Sequence, residues 1–439
     1  MRTLVAPAGY GKTTLAEQWV GRDGRRSAWY TARRSSTDVA ALALGLARAA
    51  TAIIQGCDER LRGHLRALPA PAENVEVLAE ILSEDLGGWP SEGWLVLDDY
   101  QEVARGASAE QFVAAFVAGS PVQMLIAGRV RPSWVSTRGI LYGDVLEVNQ
   151  TALAMDAVEA AEVLSEWSRR SASGLVALAN GWPAVIGLAG VAGIELDHEV
   201  EEVPESLYRF FAEEVFASLS QDVQDGLAAL AVAPVLDREL VSGLLGAERA
   251  DAVCLTALDV GILVERGAQL ELHPLCRSFL DERSAQVGFL PPDGLVPACL
   301  EHYRVRRDWD AAFDLLAKRG PTSAIESILS AALDELLDTA RLSTIETWCS
   351  FASDAALDAP IFALARAEAA LRHGRHTEAQ AHAEAAAGEG SDLTFRALTV
   401  AGRAAHLASR EHEGLELYRR AESEASSESE RRDALWGQL

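Results

Sequence analysis

Nine residues near the N-terminus, Ala6-Pro7-Ala8-Gly9-Tyr10-Gly11-Lys12-Thr13-Thr14, set two glycines, a lysine and two threonines between an apolar run and a helical one. The run before them, Thr3-Leu4-Val5, reads as a short strand, and Leu15, Trp19 and Val20 behind them share one helix face. Strand, glycine-rich loop and helix in that order can wrap backbone N–H groups around phosphates. Gly9 and Gly11 supply conformations that a side chain would block, with Ala8, Tyr10 and Thr14 completing the loop. Lys12 then reaches the β- and γ-phosphates, the Thr13 hydroxyl ligates Mg²⁺, and the helix N-terminus adds partial positive charge. Ala6 stands where the strict pattern has glycine, at small cost, because the phosphate-facing glycines come later. Of the 39 basic residues only Lys12 and Lys318 are lysines, so a compact ammonium is kept where phosphate chemistry needs one.

Such a loop needs an acid at the end of a neighbouring strand. Trp94-Leu95-Val96-Leu97-Asp98-Asp99 is an apolar run ending in two carboxylates. Strand alternation sends them to opposite sides, making Asp98 the Mg²⁺ partner and Asp99 the group that polarises an attacking water. Val122–Ala127, Val145–Val148 and Ser27–Tyr30 raise the strand count to five, with helical stretches between, which is the pattern of a parallel α/β sheet. Ligands of such sheets bind at the carboxyl ends of strands. Arg129 sits at one and can read the γ-phosphate, although a strand-end arginine commonly serves as a surface ion-pair partner.

The surrounding composition is that of a multidomain globular chain: 439 residues, 49% apolar and 24% charged, rich in helix formers. The net charge is −26, yet eleven basic and five acidic residues through Arg66 make that segment +6 and leave −32 for the rest. So acidic a remainder repels nucleic-acid backbones. Five scattered cysteines with no C-x-x-C pair point to a reducing cytoplasm and to neither a disulfide framework nor a structural zinc site. Leu175–Leu196 carries one charge, but its Asn180-Gly181-Trp182-Pro183 centre reads as a buried helix–turn–helix and not as a membrane span.

Taken together, these residues resemble the signal-transduction ATPases with numerous domains (STAND), in the branch of large ATP-binding LuxR-type transcriptional regulators typified by the maltose-regulon activator. "APAGYGKTTL" at 6–15, "LVLDDYQ" at 95–101 and "LIAGR" at 125–129 look like its P-loop, Walker B and sensor motifs. "NGWPAVIGLA" at 180–189 is similar to the proline motif of its helical domain, and "LHPLCRSFL" at 272–280 to the histidine motif of its winged helix. The resemblance implies that Pro183 packs against adenine and that His273 contacts the phosphates in a closed ADP state. It also implies a domain order of P-loop domain 1–152, helical domain 153–203, winged helix 204–290 and helical repeats 291–439.

From about Gly294 the chain turns Ala-rich and helical. Ala359–Arg372 with His376–Ala387, and Leu393–Ala408 with His412–Glu424, read as helix pairs whose junctions lie some 36 residues apart, close to the tetratricopeptide period. Leu295–Arg307 with Trp309–Lys318 fits the same scheme. His373, His376 and His382 read as a solvated junction, not a metal set. Arg431–Trp436 opens another helix without a polar capping repeat, as in an array cut short, and no helix-turn-helix follows.

The expected function is an ATP/ADP switch: ATP or ADP with Mg²⁺ in the loop, slow ATP hydrolysis, an inducer or protein partner on the repeats, and self-association in the ATP state. DNA binding and membrane insertion are not expected of these residues. A helical-repeat scaffold with a structural, non-cycling nucleotide is the competing expectation.

Overall fold

Short runs of Val, Leu, Ile and Trp become the strands of a parallel sheet, because a strand covered on both faces is apolar throughout. The computed structural model describes residues 1–22, 26–67, 70–164, 175–192, 213, 215–260, 262–266, 269–287, 294–388 and 393–439. The order is β1 (Arg2–Val5), α1 (Lys12–Gly21), β2 (Ser27–Thr31), α2 (Val39–Ala50), α3 (Glu59–Ala67), α4 (Val75–Asp85) and β3 (Trp94–Asp98). Then come α5 (Ala107–Gly119), β4 (Gln123–Gly128), α6 (Thr137–Leu141) and β5 (Leu146–Asn149). The five strands form one sheet in the order β2-β3-β4-β1-β5. All five residues of β3 are buried. β1 runs parallel to both neighbours, with Val5 level with Gly128 of β4 and Asn149 of β5.

A helical stretch follows: α7 (Gln150–Leu153), α8 (Ala157–Val163) and α9 (Pro183–Ala192). Asp156 and Glu159 form a reciprocal capping box at the start of α8. Next come α10 (Gln221–Leu230), β6 (Leu236–Asp237), α11 (Arg238–Leu245), α12 (Ala247–Asp259), β7 (Leu263–Arg266), β8 (Gln269–Leu272) and α13 (Pro274–Val287). Their three strands pair antiparallel as β6-β8-β7, a winged-helix arrangement. The expected boundaries at 203/204 and 290/291 lie outside the described residues.

The remaining elements are helices: α14 (Leu295–Arg306), α15 (Trp309–Arg319), α16 (Ile325–Asp338), α17 (Leu342–Asp354), α18 (Pro360–Arg372), α19 (His376–Ala386), α20 (Thr394–Leu407), α21 (Glu411–Glu424) and α22 (Glu428–Gly437). The expected pairs at 295, 359 and 393 are present, and α16–α17 adds a pair that the sequence pattern did not single out. Alanines line the pairs: Ala365, Ala369, Ala383, Ala401 and Ala405 are fully or almost fully buried, which lets helix backbones approach closely. Among the described residues no helix is long and apolar enough to cross a membrane.

By packing, the chain falls into two units. One holds residues 1–27, 94–101 and 123–319; the other holds 28–93, 102–122 and 320–439.

Candidate nucleotide site

The loop leaving β1 carries its two glycines in the left-handed region, Gly9 at φ 77° and Gly11 at φ 67°, where a side chain costs on the order of 1 kcal/mol or more. Gly11 is the N-cap of α1, and no side chain caps that first turn, so its N–H groups face the loop as donors for an anion. Lys12 is buried, and its Nζ donates to the Pro7 carbonyl at 2.7 Å. Burial lowers its pKa; the carboxylates of Asp98 and Asp99 work against that shift, and the Arg129 guanidinium adds to it.

Thr13 Oγ1 donates to Asp98 Oδ2 at 2.8 Å, and Asp98 is 2% exposed. A hydroxyl and a carboxylate at this separation form the hard-oxygen pair that a Mg²⁺ ion accepts. The other Asp98 oxygen accepts the N–H of Asp99 at 2.9 Å. Asp99 does not extend the alternation of β3. The strand ends at Asp98, and Asp99 turns left-handed at φ 54°, so a turn and not the pleat sets its direction. Gln101 Nε2 donates to Asp99 Oδ1 at 2.8 Å, while Gln101 Oε1 accepts the backbone N–H of Arg129 at 3.0 Å. Between them Tyr100 is fully buried; its N–H bonds the Ala127 carbonyl at 2.9 Å and its hydroxyl accepts from Trp134 Nε1 at 3.1 Å. Lys12, Thr13, Asp98, Asp99 and Arg129 are thus gathered at the carboxyl ends of β1, β3 and β4.

The loop is gripped from the helical stretch. Trp182 Nε1 donates to the Ala8 carbonyl at 3.0 Å, and the Ala184 N–H donates to the Gly9 carbonyl at 3.1 Å. The Trp182 and Tyr10 rings stack with centroids 6.2 Å apart and planes 13° apart. Gln150 Nε2 donates to the Tyr10 hydroxyl at 2.9 Å. Tyr10 therefore packs its side chain into a core with Ala6, Leu164, Ala179, Trp182 and Ile186, leaving only its backbone to the loop. The turn before Trp182 needs its glycine: Gly181 has φ 66°, and a Cβ there would lie 2.7 Å from the Met155 carbonyl oxygen. Pro183 opens α9, half-buried, beside this grip.

His273 sits between β8 and α13. Its N–H donates to the Ile262 carbonyl, and its carbonyl accepts from the Arg277 N–H, both at 2.9 Å. The Arg277 side chain is half-buried and donates to the Ala231 and Ala233 carbonyls at 3.3 and 2.9 Å, and desolvation lowers its pKa. Phe279 of the same helix packs against the core that holds Tyr10 and Trp182.

Gln101 and Trp182 were not among the residues singled out from the sequence. The signal for Trp182 was a buried indole, whose N–H seeks a partner. Gln101 had only its place at the end of "LVLDDYQ". Elsewhere, Asp237, Glu239 and His302 come together among the described residues, but Arg306 pairs with both acids and His302 lies 3.0 Å from Asp237, which makes an ion-pair network at the start of α11. His373 and His382 each face a glutamate, Glu346 at 3.5 Å and Glu378 at 3.8 Å.

Residues 212–288 match the MalT winged helix domain. The chain is 23% identical over 390 residues to the HTH-type transcriptional regulator MalT of Vibrio campbellii, covering 78% of this chain and 42% of that one. It is also 23% identical over 316 residues to the serine/threonine-protein kinase PknK of Mycobacterium tuberculosis, covering 64% and 27%. The chain thus spans less than half the length of either relative. Its fold matches a STAND protein with a tetratricopeptide repeat sensor from Pyrococcus horikoshii at a TM-score of 0.71 and 16% identity, over 100% of this chain and 64% of that one.

Proposed function

This chain is MalT-like in its winged helix and STAND-like in its fold, and we propose that it is an ATP/ADP-operated regulatory switch. The observation that carries the reading is the junction of Thr13 with Asp98 at 2.8 Å beside a buried Lys12 parked on the Pro7 carbonyl. Phosphate in the loop offers Lys12 a better partner than a neutral carbonyl, and the ammonium swings from one to the other. The N–H groups of Ala8 through Thr14 cradle the phosphates, and Thr13 and Asp98 hold the cation. Mg²⁺ held there would supply charge neutralisation for the bound phosphates. Asp99 polarises the attacking water, Arg129 reads the γ-phosphate, Pro183 packs against adenine and His273 contacts the phosphates of ADP.

In this reading ADP keeps the winged helix closed through His273. Exchange for ATP, prompted by an inducer or protein on the helical repeats, opens the chain for self-association, and slow hydrolysis resets it. Transcriptional control is carried over from the regulator MalT. Heat denaturation of the purified protein and chromatography of what it releases is the test. Stoichiometric ADP is expected, with Lys12→Ala releasing none. An empty wild-type protein that also fails to bind added ATP with Mg²⁺ would overturn the reading.

A further inference from the structure

Gln101 touches both ends of the hydrolytic apparatus. Its amide donates to the Asp99 carboxylate at 2.8 Å and accepts from the Arg129 N–H at 3.0 Å. The orientation of the amide follows from its partners: a carboxylate only accepts and a backbone N–H only donates, so the opposite flip would set acceptor on acceptor and donor on donor. The turn carrying Gln101 is fastened to the end of β4 a second time by the bond between the Tyr100 N–H and the Ala127 carbonyl, 2.9 Å long. It is also pressed there sterically. A Cβ at Gly128 would lie 2.8 Å from the Cβ of Tyr100. Asp99 itself is held in a left-handed conformation, φ 54°, that needs such external support.

We propose that Gln101 is a positioning residue that locks Asp99 to Arg129, so that γ-phosphate capture by Arg129 and orientation of the water by Asp99 occur together. The inference rests on the roles given above to Asp99 and Arg129. A displacement of the Arg129 backbone toward a γ-phosphate pulls on Gln101 Oε1, and the rigid amide plane carries that pull to the Asp99 carboxylate. With ADP the pull is absent. Gln101 touches neither nucleotide nor water in this scheme; it acts through its two neighbours.

The experiment uses the full chain as wild type, Gln101→Glu, Gln101→Ala, Asp99→Asn and the Gln101→Ala/Asp99→Asn double variant. It measures ATP and ADP affinity, single-turnover ATP hydrolysis and thermal unfolding. Gln101→Glu keeps the shape but loses the donor, so hydrolysis should fall at least about 10-fold. Because Gln101→Glu also sets a second carboxylate against Asp99, Gln101→Ala is the control: there ADP affinity and melting temperature should stay as in wild type, and the preference for ATP over ADP should shrink in both variants. Because Gln101 acts through Asp99, Gln101→Ala should add nothing to Asp99→Asn. Hydrolysis by Gln101→Glu within about twofold of wild type, or independent multiplying effects in the double variant, would overturn the proposal. Should the wild type bind nucleotide without turnover, the ATP-over-ADP preference decides alone: retained in Gln101→Glu, it sinks the coupling. A wild type that binds neither nucleotide fails at the switch reading itself, a result no Gln101 variant can mimic.

Discussion

Trp182 supports the phosphate loop in two ways, by hydrogen-bonding the Ala8 carbonyl through its indole and by stacking on Tyr10. Trp182→Phe keeps the ring and removes the N–H. A neutral hydrogen bond is worth about 1 kcal/mol, so nucleotide affinity should weaken about fivefold while the stack persists. Titration of the variant with ADP and with ATP checks this; unchanged affinity would mean that the Ala184 contact alone fixes the loop. At this scale the sequence was informative about identity and blind to direction. That Lys12, Thr13 and Asp98 come together was legible, because a strand–loop–helix pattern and a buried strand ending in Asp98 place them at neighbouring strand ends. Asp99 was legible as a residue, but its left-handed turn was not, since strand alternation was carried one residue past the end of β3.

Among the elements, α2 and α17 share one carboxylate. Asp38 Oδ1 caps α2 by accepting from the N–H groups of Ala40 and Ala41 at 3.0 and 3.3 Å. Its Oδ2 accepts from the Thr344 N–H at 3.0 Å and from the Thr344 hydroxyl at 2.9 Å, capping the first turn of α17 from 306 residues away. Burial raises the pKa of Asp38, with the Arg341 guanidinium and the Thr344 hydrogen bonds opposing. Asparagine has a single acceptor oxygen and cannot serve both helices. Asp38→Asn should therefore cost about 1–3 kcal/mol, read as a lower denaturation midpoint of the transition that includes the repeats. An unchanged midpoint would show the second cap to be idle.

The pair containing α17 was hard to read for a related reason. Glycine marks the α18–α19 junction at Gly374, but Arg307, Ala340, Ala356 and Ser409 take the left-handed conformation at four other junctions. Ala340 and Ala356 carry no turn signal in the sequence. Their conformations are imposed by the surrounding packing, in which the Arg341 N–H reaches back to the Leu336 carbonyl at 2.8 Å to close the end of α16.

For the whole molecule, the cysteines report on integrity. Cys57, Cys254, Cys276, Cys299 and Cys349 are all buried thiols outside any disulfide. Burial pushes the thiols of Cys299 and Cys349 up to about 11 from an ordinary 9.0. Their protonated forms are favoured by the fold, so this contribution is intact below the unfolded value and is lost as pH rises from 9.0 through about 11. At pH 8 an aromatic disulfide reagent should find no fast-reacting thiol in the native protein and all five after denaturation. Fast labelling of Cys299 or Cys349 in the native state would contradict their burial.

The partition of the chain has one more consequence. It passes from one packing unit to the other five times, at 27/28, 93/94, 101/102, 122/123 and 319/320. A gene cut at 320 would give an array without 28–93 and 102–122, and would leave the Thr344 N–H without Asp38. The repeats are therefore not a cassette that recombination can move between proteins intact. They pack as one unit with 28–93 and 102–122, so a change in the repeats must be tolerated by those same polypeptide stretches.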